Sequence, residues 1–278
     1  MRDRSNGCES GAQQDVDGLM DHALKVEVAG DVATLTLNRP GKKNALTLAM
    51  WSTLPGLLAE VAADRAAKVL VLRGAGGTFA AGADIGEFET VYATPDRTRD
   101  YFDRVGKAMA ALAAFEKPTI AMIEGACVGG GLGLALACDL RIAAADARLA
   151  LTPGKLGLVY SLPDTRRLVQ AVGLSRAKDI LFTGRLIAAE EALVIGLVDA
   201  LHAPETLKAA VAEKTAQIAA ASQWTARRAK AIVGLIADGE TRDTDETARW
   251  LIEAVEGEDF SEGRNAFLGK RKPEFPFR

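Results

Sequence analysis

The 278 residues are 49% hydrophobic and 26% charged, with a formal net charge of −3, which supplies a large core and argues against a general nucleic-acid binder. Cys8, Cys127 and Cys138 are too few for a disulfide framework and point to a reducing, cytoplasmic setting. No stretch is long and apolar enough to span a bilayer, and the polar start MRDRSNGCESGAQQDVDG has no apolar signal-peptide centre, so residues 1–21 read as a disordered tail.

Leu24 to Val28 and Val32 to Leu37 alternate in character around Gly30-Asp31, a hairpin pattern closed by Asn38-Arg39-Pro40-Gly41. Helical periodicity runs from Ala45 to Ala63. A short buried strand, Lys68 to Arg73, leads into a glycine-rich turn from Gly74 to Asp84. Glu87 and Glu89 follow as carboxylates that could reach a pocket, and Asp84 is placed to cap a short helix. Arg99 to Phe115 reads as a helix closed by Lys117-Pro118.

The stretch Thr119 to Asp139 carries the strongest chemical pattern. An apolar, β-branched run breaks at Gly129, Gly130 and Gly131 and resumes as the helix-compatible LGLALAC. The first N–H groups of a helix lack internal acceptors, and its N-terminus carries about half a positive charge. A turn without side chains lets a developing anion reach those donors, as an oxyanion hole requires; a tight turn without a ligand would give the same pattern. Cys127 has no neighbour to lower its pKa and reads as packing, and Asp139 reads as a structural hydrogen-bonding or ion-pairing group.

Two short strands, Leu140 to Ala143 and Arg148 to Leu151, precede a mostly helical remainder. Asp164 is placed to cap one of its helices. Strands alternating with helices imply an α/β fold with a largely parallel sheet. Composition shifts near His202-Ala203-Pro204, and the helices after it carry apolar stripes that suit another subunit or the same core. Arg227-Arg228-Ala229-Lys230 is the one basic run that suggests nucleic acid, without interleaved aromatics beside it.

Five segments in order, LNRPGKKNAL (Leu37 to Leu46), GTFAAGADI (Gly77 to Ile85), GACVGGGLGLALACDLRIA (Gly125 to Ala143), LFTGRLIAAEEALVIGLV (Leu181 to Val198) and NAFLGKRKPEF (Asn265 to Phe275), resemble the crotonase, or enoyl-CoA hydratase/isomerase, superfamily over residues 22–275. The resemblance implies a spiral of ββα turns over residues 22–202 and a helical trimerisation region over 203–278, with trimers or hexamers as the assembly. It implies acyl-CoA thioesters as substrates, coenzyme A arriving with the substrate, no metal and no permanently bound cofactor. By motif, the oxyanion N–H groups fall on Ala83 and Gly130. Substrate and CoA contacts fall on Lys42, Lys43, Ala45, Ala81, Asp84, Ile85 and Gly129, with Phe267 and Lys270 reaching a neighbouring subunit's CoA.

The chain departs from the family pattern where hydratases carry two glutamates: here those positions are Gly133 and Pro153. Neither can move a proton, so hydration by the usual pair is not expected. Glycine inside a helix costs about 1 kcal/mol against alanine, so Gly133 suggests space left for substrate, with close helix packing as the alternative. The segment TPGKLGLVY (Thr152 to Tyr160) resembles that of methylmalonyl-CoA decarboxylases, which implies that Tyr160 orients a substrate carboxylate. Those enzymes carry a histidine where this chain has Ala83, and His22 and His202 lie outside every motif. The expected function is thioester-enolate chemistry, with decarboxylation of a malonyl-type substrate in view. The alternatives are hydration or isomerisation by another acid/base, or a CoA-binding protein without efficient catalysis.

Overall fold

The computed structural model describes residues 23–277; the expected tail and His22 lie outside them. Strands β1 (Leu24–Ala29) and β2 (Val32–Leu37) form the antiparallel hairpin. Alternate residues of β2, Ala33, Leu35 and Leu37, turn into the core. Helix α1 (Leu48–Ala63) covers them with Met50, Trp51, Leu54, Leu58 and Val61, a helical spacing. It starts three residues later than the periodicity implies, because the Thr47 hydroxyl accepts the Met50 N–H and caps it. Beyond β3 (Val69–Gly74) come short α2 (Phe88–Val91) and α3 (Pro95–Ala113). Helix α3 begins ahead of the expected Arg99, since Thr94 caps it and Pro95 opens it, and its charged first turn hides the apolar stripe.

The run from Thr119 to Val128 is two strands rather than one. Strand β4 (Thr119–Ile123) lies in the main sheet, and β5 (Ala126–Val128) in a second, smaller one. After α4 (Gly130–Ala137), β6 (Leu140–Ala144) returns to the main sheet and β7 (Arg148–Ala150) pairs with β5. The remainder holds α5 (Pro153–Leu156), α6 (Leu162–Thr183), β8 (Ile187–Ala188), α7 (Ala189–Val194), β9 (Ala200–His202), α8 (Pro204–Ala219), α9 (Gln223–Ala237), α10 (Asp245–Glu256) and α11 (Glu258–Leu268). Strands β8 and β9 interrupt the mostly helical remainder expected after Pro153; at two and three residues they are too short for periodicity to register.

The main sheet runs β1-β2-β3-β4-β6-β9, parallel after its first pair, and the second runs β5-β7-β8. This mixed α/β architecture with its largely parallel sheet is the fold class expected from the sequence. One face of the main sheet packs against α1, α3 and α4. The other buries Val69, Val71, Ile120, Met122 and Ile142 against Leu207 and Val211 of α8. The core therefore continues past residue 202 into the first helix beyond the composition shift. Helix α9 is pinned to it by Lys230, whose Nζ lies 2.8 Å from the Asp139 carboxylate. Asp139 also accepts the Thr119 N–H, the structural role its sequence position suggests. No helix among the described residues is long and apolar enough to cross a membrane.

Candidate active site

Two glycine turns meet at one end of the sheets. Phe79 and Ala80 donate their N–H groups to the Glu124 and Ala126 carbonyls, and Val128 donates back to Ala80, which lays the first turn along β5. The loop after β2 holds its other side. Buried Asn44 donates through Nδ2 to the Ala75 and Thr78 carbonyls, and Arg39 lies 2.8 Å from the Asp84 carboxylate. Asp84 caps the following turn by accepting the Gly86 N–H. Burial pushes its carboxyl pKa up, but the Arg39 hydrogen bond, the Gly86 N–H and the Arg39 and Lys42 charges hold it below the ordinary aspartate value.

The hydrogen bonds around Ala83 determine where its own N–H points. Leu46 donates to the Gly82 carbonyl and Asp84 donates to the Leu46 carbonyl. In such a parallel bridge the intervening residue turns its N–H and C=O to the opposite side. Gly82 has φ of 104°, which only glycine adopts freely. In the second turn Gly129, with φ of 56°, donates to the Ala150 carbonyl, and α4 starts at Gly130. The two turns are in contact: a Cβ on Gly131 would lie 2.7 Å from Ala80 Cβ, and one on Gly82 would lie 3.7 Å from Gly130 N. Among the described residues, neither the Ala83 N–H nor the Gly130 N–H has an acceptor.

Both residues line a cavity of about 390 Å³, together with Ala81, Ile85, Gly129, Pro153 and Tyr160. The fold thus brings seven sequence-predicted positions together. A Cβ on Gly129 would stand 3.8 Å from the Tyr160 hydroxyl, which has no hydrogen-bond partner among the described residues. Burial first, then the charge of Asp164, pushes the Tyr160 phenol far above its ordinary pKa, so it stays a proton donor to an acceptor in the cavity.

Gly133 does not line this cavity. A Cβ there would lie 2.7 Å from Met109 Cε. The room left by the missing side chain is filled by a methionine of α3, so close helix packing explains the glycine and the reading as substrate space is corrected. Lys42, Lys43 and Ala45 flank the first turn without lining the cavity; the Lys43 carbonyl accepts the Ala81 N–H. Phe267, 84% exposed, and Lys270 stand apart on the C-terminal arm. Glu87 accepts the Leu48 N–H at the start of α1, and neither it nor exposed Glu89 lines the cavity. Cys127 is fully buried, and burial raises its thiol well above the ordinary value.

Sequence reasoning passed over Trp51 and Tyr101 as lining side chains, and read Asp164, which also lines the cavity, as a helix cap. The first two sit on the buried stripes of α1 and α3, where an aromatic signals packing alone. Asp164 is not the helix cap; Ser161 is, accepting the Asp164 N–H. The Asp164 carboxylate accepts the Ser161 hydroxyl and pairs with Arg167 at 2.7 Å. The basic run Arg227-Arg228-Ala229-Lys230 is engaged internally. Arg228 lies over Trp224, one turn before it in the same helix, and over Trp250 of α10, which local sequence could not place beside it, and Arg227 lies over Phe277. That region encloses a larger cavity of about 600 Å³, lined by Glu116 and Asp238 as well as these arginines and separate from the paired turns. Among the described residues no cluster of His, Cys, Asp and Glu is arranged to hold a metal ion.

The sequence model described as Enoyl-CoA hydratase/isomerase matches residues 27–277. A Bacillus subtilis protein named "Probable enoyl-CoA hydratase" is 35% identical over 266 residues, covering 91% of this chain and 98% of its own. The crystal structure of an enoyl-CoA hydratase/isomerase family protein from Hyphomonas neptunium superposes with a TM-score of 0.91 at 45% identity, covering 93% of this chain and 99% of the other. An enoyl-CoA hydratase/carnithine racemase structure from Magnetospirillum magneticum gives 0.88 at 35% identity, covering 92% and 96%.

Proposed function

Since the chain belongs to the enoyl-CoA hydratase/isomerase family, we propose that it stabilises a thioester enolate of an acyl-CoA between the Ala83 and Gly130 N–H groups, and that its reaction is decarboxylation of a malonyl-type thioester. The observation that carries the first part is that both amides line one cavity and, among the described residues, neither has an acceptor. Preorganised donors of this kind act where charge develops, and need no reorganisation during the reaction.

Decarboxylation fits a site whose glutamate positions are Gly133 and Pro153. The bond from the second acyl carbon to the carboxylate breaks, and its electron pair becomes the enolate, whose oxygen charge the two amides hold. Carbon dioxide leaves, and the carbon takes a proton from water. The Tyr160 hydroxyl donates to the departing carboxylate. Asp164 is the lining carboxylate, and Arg167 neutralises it, so it does not repel an anionic substrate. Lys42 and Lys43, exposed beside the first turn, serve the CoA phosphates, with Ala45, Ala81 and Ile85 along the pantetheine. Asp84 contributes through its backbone, its carboxylate being held by Arg39. Phe267 and Lys270 reach a neighbouring subunit's CoA in a trimer or hexamer. The exposed Leu251, Ile252 and Val255 of α10 give that C-terminal region apolar surface to cover.

Replacing Tyr160 with Phe removes a hydrogen bond to a charged group, worth about 1.5–3 kcal/mol. The kcat/KM for malonyl- or methylmalonyl-CoA falls roughly 10- to 100-fold, while affinity for butanoyl-CoA is retained. Equal losses for both thioesters exclude the tyrosine from carboxylate recognition.

The presence of Asp164 in the cavity favours a second reading, in which it moves a proton in isomerisation or hydration. Asp164→Asn separates the two. Decarboxylation is expected to stay within about threefold, since the step needs no base, whereas a reaction using this carboxylate as acid or base drops at least 10²-fold. Turnover is followed with malonyl-, methylmalonyl-, crotonyl- and 3-enoyl-CoA. Tight binding of all four without turnover supports a protein that keeps the CoA site and has lost the chemistry.

A further inference from the structure

Helix α3 presents Phe102, Val105 and Met109 to the cavity that the two amides line; they are three and four residues apart and so share one helix face. Phe102 is 46% exposed at the mouth, Val105 is half-buried, and Met109 is 4% exposed. This face of α3 therefore runs from the mouth inward, with Met109 at its deep end.

Helix α4 runs inward as well. Gly130 is half-buried at its start, and every residue from Gly131 to Ala137 is buried. Gly133 lies three residues, about 4.5 Å of helix, beyond the Gly130 N–H. The Met109 side chain crosses from α3 to this point. A Cβ on Gly133 would lie 2.7 Å from Met109 Cε and 3.7 Å from its Sδ. Apart from α4 itself, nothing else among the described residues comes within 4 Å of that position. The thioether thus spans the gap between the two helices, about one turn below the proposed oxyanion donor.

We infer that Met109 is the end stop of the acyl cavity and that Gly133 sets its position, so that the site accepts short acyl groups and rejects long ones. The inference rests on the acyl-CoA reading but not on decarboxylation. With the thioester oxygen at the Gly130 N–H, an acyl chain running inward along α3 meets the thioether. Each methylene buried before that point strengthens binding about fourfold. The next one has to displace a packed side chain, and overpacking removes the gain. Gly133 acts only through the methionine. A side chain at residue 133 pushes the methyl, which is the movable end of an adaptable side chain, toward the open cavity beside it.

The test is calorimetric binding of acetyl-, butanoyl-, hexanoyl- and octanoyl-CoA to the full chain. Wild-type affinity is expected to climb about fourfold per methylene at first and to stop climbing before octanoyl-CoA. Met109→Ala moves the limit outward, raising the octanoyl-to-butanoyl affinity ratio about tenfold over the wild type. Gly133→Ala moves it inward, lowering the hexanoyl-to-butanoyl ratio about threefold. Its Tm does not fall, because alanine is the better helix former at that position. With Met109→Ala also present, the effect of Gly133→Ala disappears, which shows that it is transmitted by the methionine. A steady climb through octanoyl-CoA in the wild type overturns the end stop. So do ratios unchanged in both single variants, or an equal loss for every thioester, which assigns Met109 to packing. If Met109→Ala does not fold, Gly133→Ala decides alone. Failure of the wild type to bind any of the four removes the acyl-CoA reading, and the end stop with it.

Discussion

Gly130→Pro is expected to lower turnover of any substrate of this enzyme by about 10²–10³-fold, the usual cost of deleting one oxyanion donor. The substitution is well suited to the question. Gly130 is the first residue of α4, where a backbone N–H has no intrahelical acceptor and proline is tolerated. Its φ is not in the left-handed region. The added atoms do press on Trp51, since a Cβ at this position lies 3.1 Å from Cζ2. Gly130→Ala carries the same Cβ and keeps the N–H, so the ratio of the two variants isolates the donor. Steady-state kcat for the pair, with thermal unfolding as a check on integrity, gives the answer. Equal activity in the two variants removes Gly130 from the proposed hole.

Gly131→Ala is expected to cost both stability and activity, for a different reason. Its Cβ would lie 2.7 Å from Ala80 Cβ and 2.8 Å from the Ala80 carbonyl oxygen. Neither is the end of a flexible side chain, so backbone must shift. Ala80 is tied to Val128 by a backbone hydrogen bond and leads directly into Gly82 and Ala83. The strain therefore falls on the spacing between the two amides. Overpacking of this kind costs about 1–3 kcal/mol, and a displacement of the order of an ångström between catalytic donors can cost about 10²-fold in rate. The expected outcome is a folded protein with lower Tm, normal secondary structure and kcat reduced more than tenfold. A variant with lowered Tm and unchanged kcat shows that the contact supports the fold alone and does not set the site's geometry.

The two variants probe one design from opposite directions. Proline at residue 130 removes a donor and leaves the turns in place, whereas alanine at residue 131 keeps both donors and moves one turn against the other. On the proposed reaction, activity depends on backbone positions rather than on ionisable side chains, which is why the glycines weigh more than Asp164, the carboxylate that lines the cavity among the described residues.

The central glycine turn, the hairpin, the short apolar strands and the α/β class were legible in sequence because each is set by local pattern: period-two alternation, a β-branched run, glycines without side chains at a strand–helix junction. The same holds for Asp84 as a cap and for Cys127 and Asp139 as structural groups. Elements of two or three residues, β8 and β9, escaped because hydrogen bonds to β7 and β6 define them, not their own composition.

What Gly133 is for, and which side chains line the cavity, depended on contacts between residues far apart in the chain. Met109 fills the space at Gly133 from another helix, and Trp51 and Tyr101 reach the cavity from helical stripes indistinguishable in sequence from ordinary core. Sequence by itself determined that two bare-backbone turns exist and which family pattern they follow. Only tertiary structure decided that they touch, that among the described residues their amides are left without acceptors and that Trp51, Tyr101 and Tyr160 line the cavity with them, because packing distances across the sheets are set by the whole core and not by any local stretch.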